Sequence, residues 1–450
     1  MYELAQFTAA VTAFLCLGLI FWWVFVRREL FNPMLYVIYG TFHWLVVGQL
    51  GTLFLGEEYY EPRGDFLEET HFFAAVVILL SITSGLMGFY AFAPRTMAIV
   101  NWHVAPANKR LAWLTLTIGS VSFAFLLNHI KTFSVDEVSF EYSLWALPVT
   151  LPYISTAVLG AYLFFRAPRT TGHSWLFWWC GILAILPVLT SNVMVIFAVF
   201  AIVFWYLNRA GKVYRAPLGF TLLLTGLVPA VVLLSLFIKI LQRPDDIQTV
   251  LTIGKATDPN TIAEAFYRFI TLDIFNVEDY SLFLIIIERV QGLSDLKWGS
   301  SYLAAFLPFL RFFYPDIRGM GRQFAIDEGF GDSNVSFATP PIIELYANFG
   351  LPAPIVGYFA LGAVLALLYR WYLRTPSENH GVIYLFILSW VLFLQRGDAL
   401  NTILYPAYIL LVILVLLWFA GCRRYVYVKS FSPNHIFRTR QPPRGPEKTL

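Results

Sequence analysis

From Gln6 to Val26 the chain carries no charged side chain, and Arg27 and Arg28 follow at once. This pattern, an apolar run of roughly 20 residues closed by charge, recurs along most of the sequence and constrains the fold more than any other feature. A helix of that length crosses about 30 Å of hydrocarbon. Lipid offers no partner to backbone N–H and C=O groups, so such runs satisfy them internally as helices. The composition agrees: 58% of the 450 residues are hydrophobic and 13% are charged, where a soluble domain has about 25% charged. The predicted fold class is all-α, a polytopic helical membrane protein with about 11 transmembrane helices and one large outer loop containing short helices.

Charge places the turns. Spans are expected near residues 6–26, 34–55, 72–93, 111–130, 145–165, 217–240, 353–370, 381–395 and 399–420. The apolar run from Ser174 to Leu207 is too long for one crossing and short for two. It is flanked by Arg166 and Arg169 before it and by Arg209, Lys212 and Arg215 after it. Two basic flanks require an even number of crossings, so the run is split into two short spans turning near Thr190-Ser191-Asn192. With this alternation, 19 of the 31 Lys and Arg fall in the inner loops and tail, and only Arg63, Lys131 and Arg396 in the short outer turns. That asymmetry sets the N-terminus outside and the C-terminus inside. The remaining nine belong to one long outer loop or its edge, and long loops cross regardless of charge.

Four segments follow. Residues 1–241 form an N-terminal membrane bundle of about eight spans, 353–421 carry about three more, and 422–450 are a basic tail expected to be disordered on the cytoplasmic side. Residues 242–352 form the outer loop. The first 26 residues carry no Lys or Arg, so the opening run is expected to be a span and not a cleaved signal. Cys16, Cys180 and Cys422 lie in or beside apolar runs without metal or disulfide spacing. A net charge of +3 gives no argument for nucleic acid, and none is expected as a partner.

A connection as long as 242–352 is uncommon unless it is functional. It opens with a predicted helix at Thr261-Ile262-Ala263-Glu264, a capping box with Glu264 four residues before Arg268. Two apolar stretches, Tyr280–Val290 and Ser301–Phe313, are too short to span. They read as re-entrant helices, interfacial helices or a cap over the spans. The most polar part runs from Arg322 to Gly350 and holds Asp327, Glu328, Asp332 and Glu344. Thr339-Pro340-Pro341 starts a short helix there and Gly350 ends it.

The order of WGSSYL (Trp298–Leu303), LPFLRFFYP (Leu307–Pro315), a glycine-rich stretch and ATPPIIELYANFG (Ala338–Gly350) resembles the bacterial oligosaccharide repeat-unit polymerases, the Wzy-type O-antigen and exopolysaccharide polymerases. Asn32-Pro33 and Arg396-Gly397-Asp398 extend the likeness. Two positions depart from it: Asp316-Ile317-Arg318 stands where that family often has a lysine-proline pair, and Ile343 where glycine is common.

The resemblance implies a bacterial inner-membrane enzyme with a periplasmic active loop. It would transfer a polyprenyl-pyrophosphate-linked glycan to a sugar hydroxyl of an incoming lipid-linked repeat unit. Its partners would be that lipid-linked oligosaccharide, membrane lipids and a chain-length regulator protein. Cofactors and metals are not expected: in a metal-free site, arginine forks carry the pyrophosphate charge. Arg289 and Arg311, with Arg268, Arg318, Arg322 and Arg396, are the candidates. Glu344 is the preferred base, with Asp327, Glu328 and Asp332 as alternatives. Trp298, Tyr302 and Tyr346 are candidates for sugar stacking. Two other readings compete. An O-antigen ligase is expected to use a loop histidine, and none lies between His173 and His380. A lipid-linked oligosaccharide flippase would call for midplane charges and an internal repeat.

Overall fold

The computed structural model describes residues 1–55, 66–93, 108–130, 147–165, 174–188, 192–209, 216–223, 277–290, 292–306, 320, 324, 339–374, 378–395 and 405–420. Every regular element among them is helical. Among the described residues, four helices are long and apolar enough to cross a membrane: Tyr2–Arg27, Pro33–Phe54, Glu68–Phe92 and Pro352–Leu373. Shorter apolar helices cover Pro152–Phe164, Trp175–Ala184, Gly381–Leu392 and Pro406–Phe419.

The first helix, α1 (Tyr2–Phe21), shows what kind of solvent the bundle is built for. Its inward face is small: Ala5, Ala9, Thr12, Ala13 and Cys16 are buried. Its outward face is large and apolar, with Phe7 68% and Phe14 75% exposed and Phe21 one further heptad along. Small residues inside and phenylalanines outside are the packing expected where lipid surrounds the helices. The helix continues as a π-helical segment, Trp22–Arg27, ending at Arg28 in the left-handed region (φ 57°).

The second span begins as α2 (Pro33–Thr41), with Asn32 as its N-cap accepting from the Met34 amide and Pro33 in the first turn. A π-helical segment, Phe42–Val46, leads into α3 (Val47–Leu55). His43 lies against the rings of Tyr39 and Trp44 within it. Then come α4 (Glu68–Phe92), α5 (Lys109–Ile130) and α6 (Leu147–Phe165). The long apolar run after His173 is two helices, α7 (Ser174–Val188) and α8 (Asn192–Arg209), parted where the sequence suggests. With 15 and 18 residues they measure about 22 and 27 Å, short for a full crossing. The described part of the loop adds α9 (Val277–Arg289), α10 (Ser300–Phe306) and α11 (Pro341–Phe349). Helices α12 (Pro352–Arg374), α13 (Glu378–Phe393) and α14 (Tyr405–Phe419) complete the order.

Among the described residues the tightest crossing pairs α4 with α12. A Cβ on Gly88 would sit 2.1 Å from the Phe359 carbonyl oxygen, and one on Gly362 2.0 Å from that of Gly85. Only glycine permits that approach. Ser84 Oγ adds a hydrogen bond to the Ile355 carbonyl (2.7 Å). Contacts advance along both helices together, from Ser84–Ile355 to Phe89–Tyr369, so the two run parallel. By contrast, α6 and α7 are antiparallel, with Gly160 against Cys180 and Phe164 against Trp178.

Contacts sort several elements into two ends. At one end, Tyr2 Oη and Gln6 Nε2 donate to the Leu53 carbonyl, and His71 Nδ1 meets Tyr280 Oη at 3.2 Å. Glu288 accepts from the Leu67 amide and Thr70 Oγ1, at the start of α4. At the other, the Ala216 amide donates to the Arg28 carbonyl and Tyr384 Oη to the Phe31 carbonyl. This is the grouping that the charge alternation requires of these elements. Tyr280 and Leu282–Ile286 are buried, and α9 packs on α3, α4, α11 and the Phe42–Val46 segment, near the start of α4.

Candidate functional site

Two loop segments that lie 35 residues or more apart in sequence meet in space, and their meeting is made of backbone and short polar side chains. The carbonyls at the end of α11 have no partner within the helix. Two successive amides of the Lys297–Gly299 turn supply it from outside, and a third reaches the Asn348 side chain. Lys297 N donates to the Ala347 carbonyl (3.1 Å), Trp298 N to the Asn348 carbonyl (3.0 Å) and Gly299 N to Asn348 Oδ1 (2.9 Å). To aim them, the turn adopts positive φ twice, at Trp298 (48°) and Gly299 (82°). Trp298 bears that conformation at a cost of about 1–2 kcal/mol. Gly299 is required, because a Cβ there would also press on the Phe349 ring at 3.1 Å.

Behind the turn lies a buried polar node. Ser301 Oγ donates to Glu344 Oε1 (2.7 Å), and Asn348 Nδ2 donates both to Ser301 Oγ (2.8 Å) and to the Glu344 carbonyl (2.7 Å). Glu344, Asn348 and Ser301 are 2%, 0% and 4% exposed. Hydroxyl polarity is thereby fixed: Ser301 gives its one proton to the carboxylate and receives one from the amide.

Tyr302 stacks on Phe349 (ring centroids 6.1 Å apart, 9° between planes). Its hydroxyl is pushed well above the usual tyrosine range, first by burial and then by the charge of Glu344 and the neighbouring Tyr358. From α12, Tyr358 Oη donates to Gln395 Oε1 (2.5 Å). Gln395 is fully buried against Gly40 of α2, and its Nε2 finds no acceptor among the described residues. A column of polar groups thus descends from Glu344 to Gln395, the residue that precedes Arg396 in the chain.

Of the residues the sequence puts forward, Glu344 is on α11 as expected, with its carboxylate turned inward to Ser301. Tyr346, proposed for sugar stacking, is packed inside the protein between Phe73 of α4 and Phe283 of α9. Trp298 is exposed, at the apex of the turn. Arg289 is exposed at the end of α9, with its guanidinium carbon 5.1 Å from the centre of the Phe324 ring. That contact sets one candidate arginine beside the Arg322–Gly350 stretch. Arg268, Arg311, Arg318, Arg322 and Arg396 lie outside the described residues, as do Asp327, Glu328 and Asp332 and the proposed capping box at Thr261.

Ser301, Asn348, Tyr358 and Gln395 were not singled out from the sequence. The first two stand inside the quoted WGSSYL and ATPPIIELYANFG stretches, which was their signal; Tyr358 had none, and Gln395 only its place beside Arg396. Comparison of the chain with protein-family models, with characterised proteins and with solved structures returns no match. What fold and site define is a class: a protein all-α among the described residues, with helices suited to a membrane and a buried polar node where residues 297–301 meet Pro341–Phe349.

Proposed function

We propose that the chain is an oligosaccharide repeat-unit polymerase of the inner membrane, with its site on the periplasmic face. The observation that carries this reading is the docking of the Trp298–Leu303 turn onto the Pro341–Phe349 helix through Glu344, Ser301 and Asn348. The resemblance rests in part on those two stretches, and they form one unit. Each would otherwise have its own reason to be polar.

In the reaction, a sugar hydroxyl of the lipid-linked repeat unit attacks the anomeric carbon of the growing chain. The new C–O bond forms as the bond to the pyrophosphate oxygen breaks. The electron pair leaves with the polyprenyl pyrophosphate, and the hydroxyl proton passes to a base. Arginine forks suit the leaving group because they stabilise charge that grows in the transition state. Arg289 stands at the end of α9, exposed, where a headgroup-level pyrophosphate would meet it. Glu344 is buried behind Ser301, so in this reading it orders the turn, and the base is one of the alternatives Asp327, Glu328 and Asp332.

The test is a chromosomal deletion in the source bacterium, with surface glycan resolved by length. A polymerase leaves single repeat units on the surface, and the plasmid-borne gene restores the ladder. Complete loss of surface glycan would indicate a flippase, and full-length polymer retained on its lipid carrier would indicate a ligase.

A further inference from the structure

We infer that the exposed aromatic ledge formed by the start of α5 and the start of α7 seats an anionic phospholipid, its phosphate on Lys109 and Arg110 and its upper acyl chains along Trp113 and Trp175. The inference is independent of the catalytic reading. Lys109, Arg110 and Trp113 occupy one turn of α5, and all three are exposed. Residues three and four apart share a helix face, so both cations belong to the face that carries Trp113. From α7, Trp175 meets Trp113 edge to face (centroids 5.7 Å apart, 79°). The two rings are 48% and 47% exposed and form a ledge rather than a core contact. Trp178, 58% exposed, continues it and is steadied by Phe164 at the end of α6.

Depth is fixed by a second contact. Asn108 caps α5, accepting from the Arg110 and Leu111 amides through Oδ1, and its Nδ2 donates to the Ala420 carbonyl just past α14. The last turn of α14 exposes Trp418 and Phe419. Three helices therefore present large exposed aromatics at one level, with paired cations at the same level. Indole rings favour the headgroup–acyl boundary, and cations beside them favour an anionic over a zwitterionic headgroup. Charge complementarity thus selects the occupant.

The test is native mass spectrometry of the full chain released from micelles with equimolar phosphatidylglycerol and phosphatidylcholine of identical acyl chains. Wild type should retain phosphatidylglycerol preferentially. The double variant Lys109→Gln, Arg110→Gln should lose about thirtyfold of that preference. Trp113→Leu with Trp175→Leu should shorten retention of both lipids while keeping the preference. Glutamine at two exposed helical positions preserves the fold, which intact monodispersity by size exclusion checks. Equal retention of the two lipids by wild type, or an undiminished preference in the double glutamine variant, would overturn the assignment.

Discussion

Replacing Ser301 by alanine removes one oxygen and breaks two hydrogen bonds at once. Glu344 Oε1 loses its 2.7 Å donor and Asn348 Nδ2 loses one of its two acceptors. A hydrogen bond to a charged group contributes about 1.5–3 kcal/mol and a neutral one about 0.5–1.5. Asn348 keeps the Glu344 carbonyl, so the net loss is roughly 2–4 kcal/mol, localised where the turn meets α11. Hydrogen exchange reads this directly, because the amides of Lys297, Trp298 and Gly299 are bonded to Ala347 and Asn348. Their protection should fall by roughly thirty- to a thousandfold in Ser301→Ala. Amides deep in α4, far from the node, should not change. Asn348→Asp should do more harm, since it sets a second carboxylate against Ser301 Oγ and the Glu344 carbonyl. If Ser301→Ala leaves all three turn amides as slow as in wild type, the node does not hold the turn, and the argument for a single unit fails.

Four further outcomes are expected. Gly88→Val or Gly362→Val puts a Cβ about 2 Å from a backbone oxygen and should cost at least about 1–3 kcal/mol, seen as loss of monodisperse protein on heating in detergent. Gly18→Ala meets nothing within 4 Å and should be neutral or stabilising by up to about 1 kcal/mol in the same assay. Tyr358→Phe takes the donor from Gln395 Oε1 and should destabilise by about 1–3 kcal/mol, with Gln395→Leu in the same background recovering part of the loss. Cysteines at Ser333 and Ser432 should be labelled from opposite sides of the membrane; labelling of both from one side would contradict the alternation of spans.

Local signals carried much of the fold. Thr339-Pro340-Pro341 announces a helix start by chemistry that needs only neighbouring residues, and Gly350 announces a stop. Charge flanks placed the break between α7 and α8 because membrane crossing imposes parity on basic residues. The site was less legible, since its contacts are nonlocal. Glu344 could be placed on a short helix, but which way it points depends on Ser301, which lies 43 positions away. Tyr346 looked available for a sugar until α9 folded back over it. The turn's left-handed Trp298 follows no residue preference; it is the price of aiming three amides at α11. The π-helical segments at Trp22–Arg27 and Phe42–Val46 likewise carry no sequence mark. Column residues Tyr358 and Gln395 lie in apolar runs, where a single polar residue reads as tolerated until its partner is seen.

The central claim is that arginines of the outer loop hold a lipid pyrophosphate during glycan transfer, and polymer length in cells tests it most directly. Arg289, Arg311 and Arg322 are each replaced by alanine and by lysine, with membrane protein levels matched by immunoblot. Loss of one charged hydrogen bond in the transition state costs about 2–4 kcal/mol, roughly a hundredfold in rate. At least two alanine variants should therefore collapse the ladder to single repeat units, and lysine should rescue poorly because it keeps the charge and loses the fork. A normal long ladder from all three alanine variants would contradict the account.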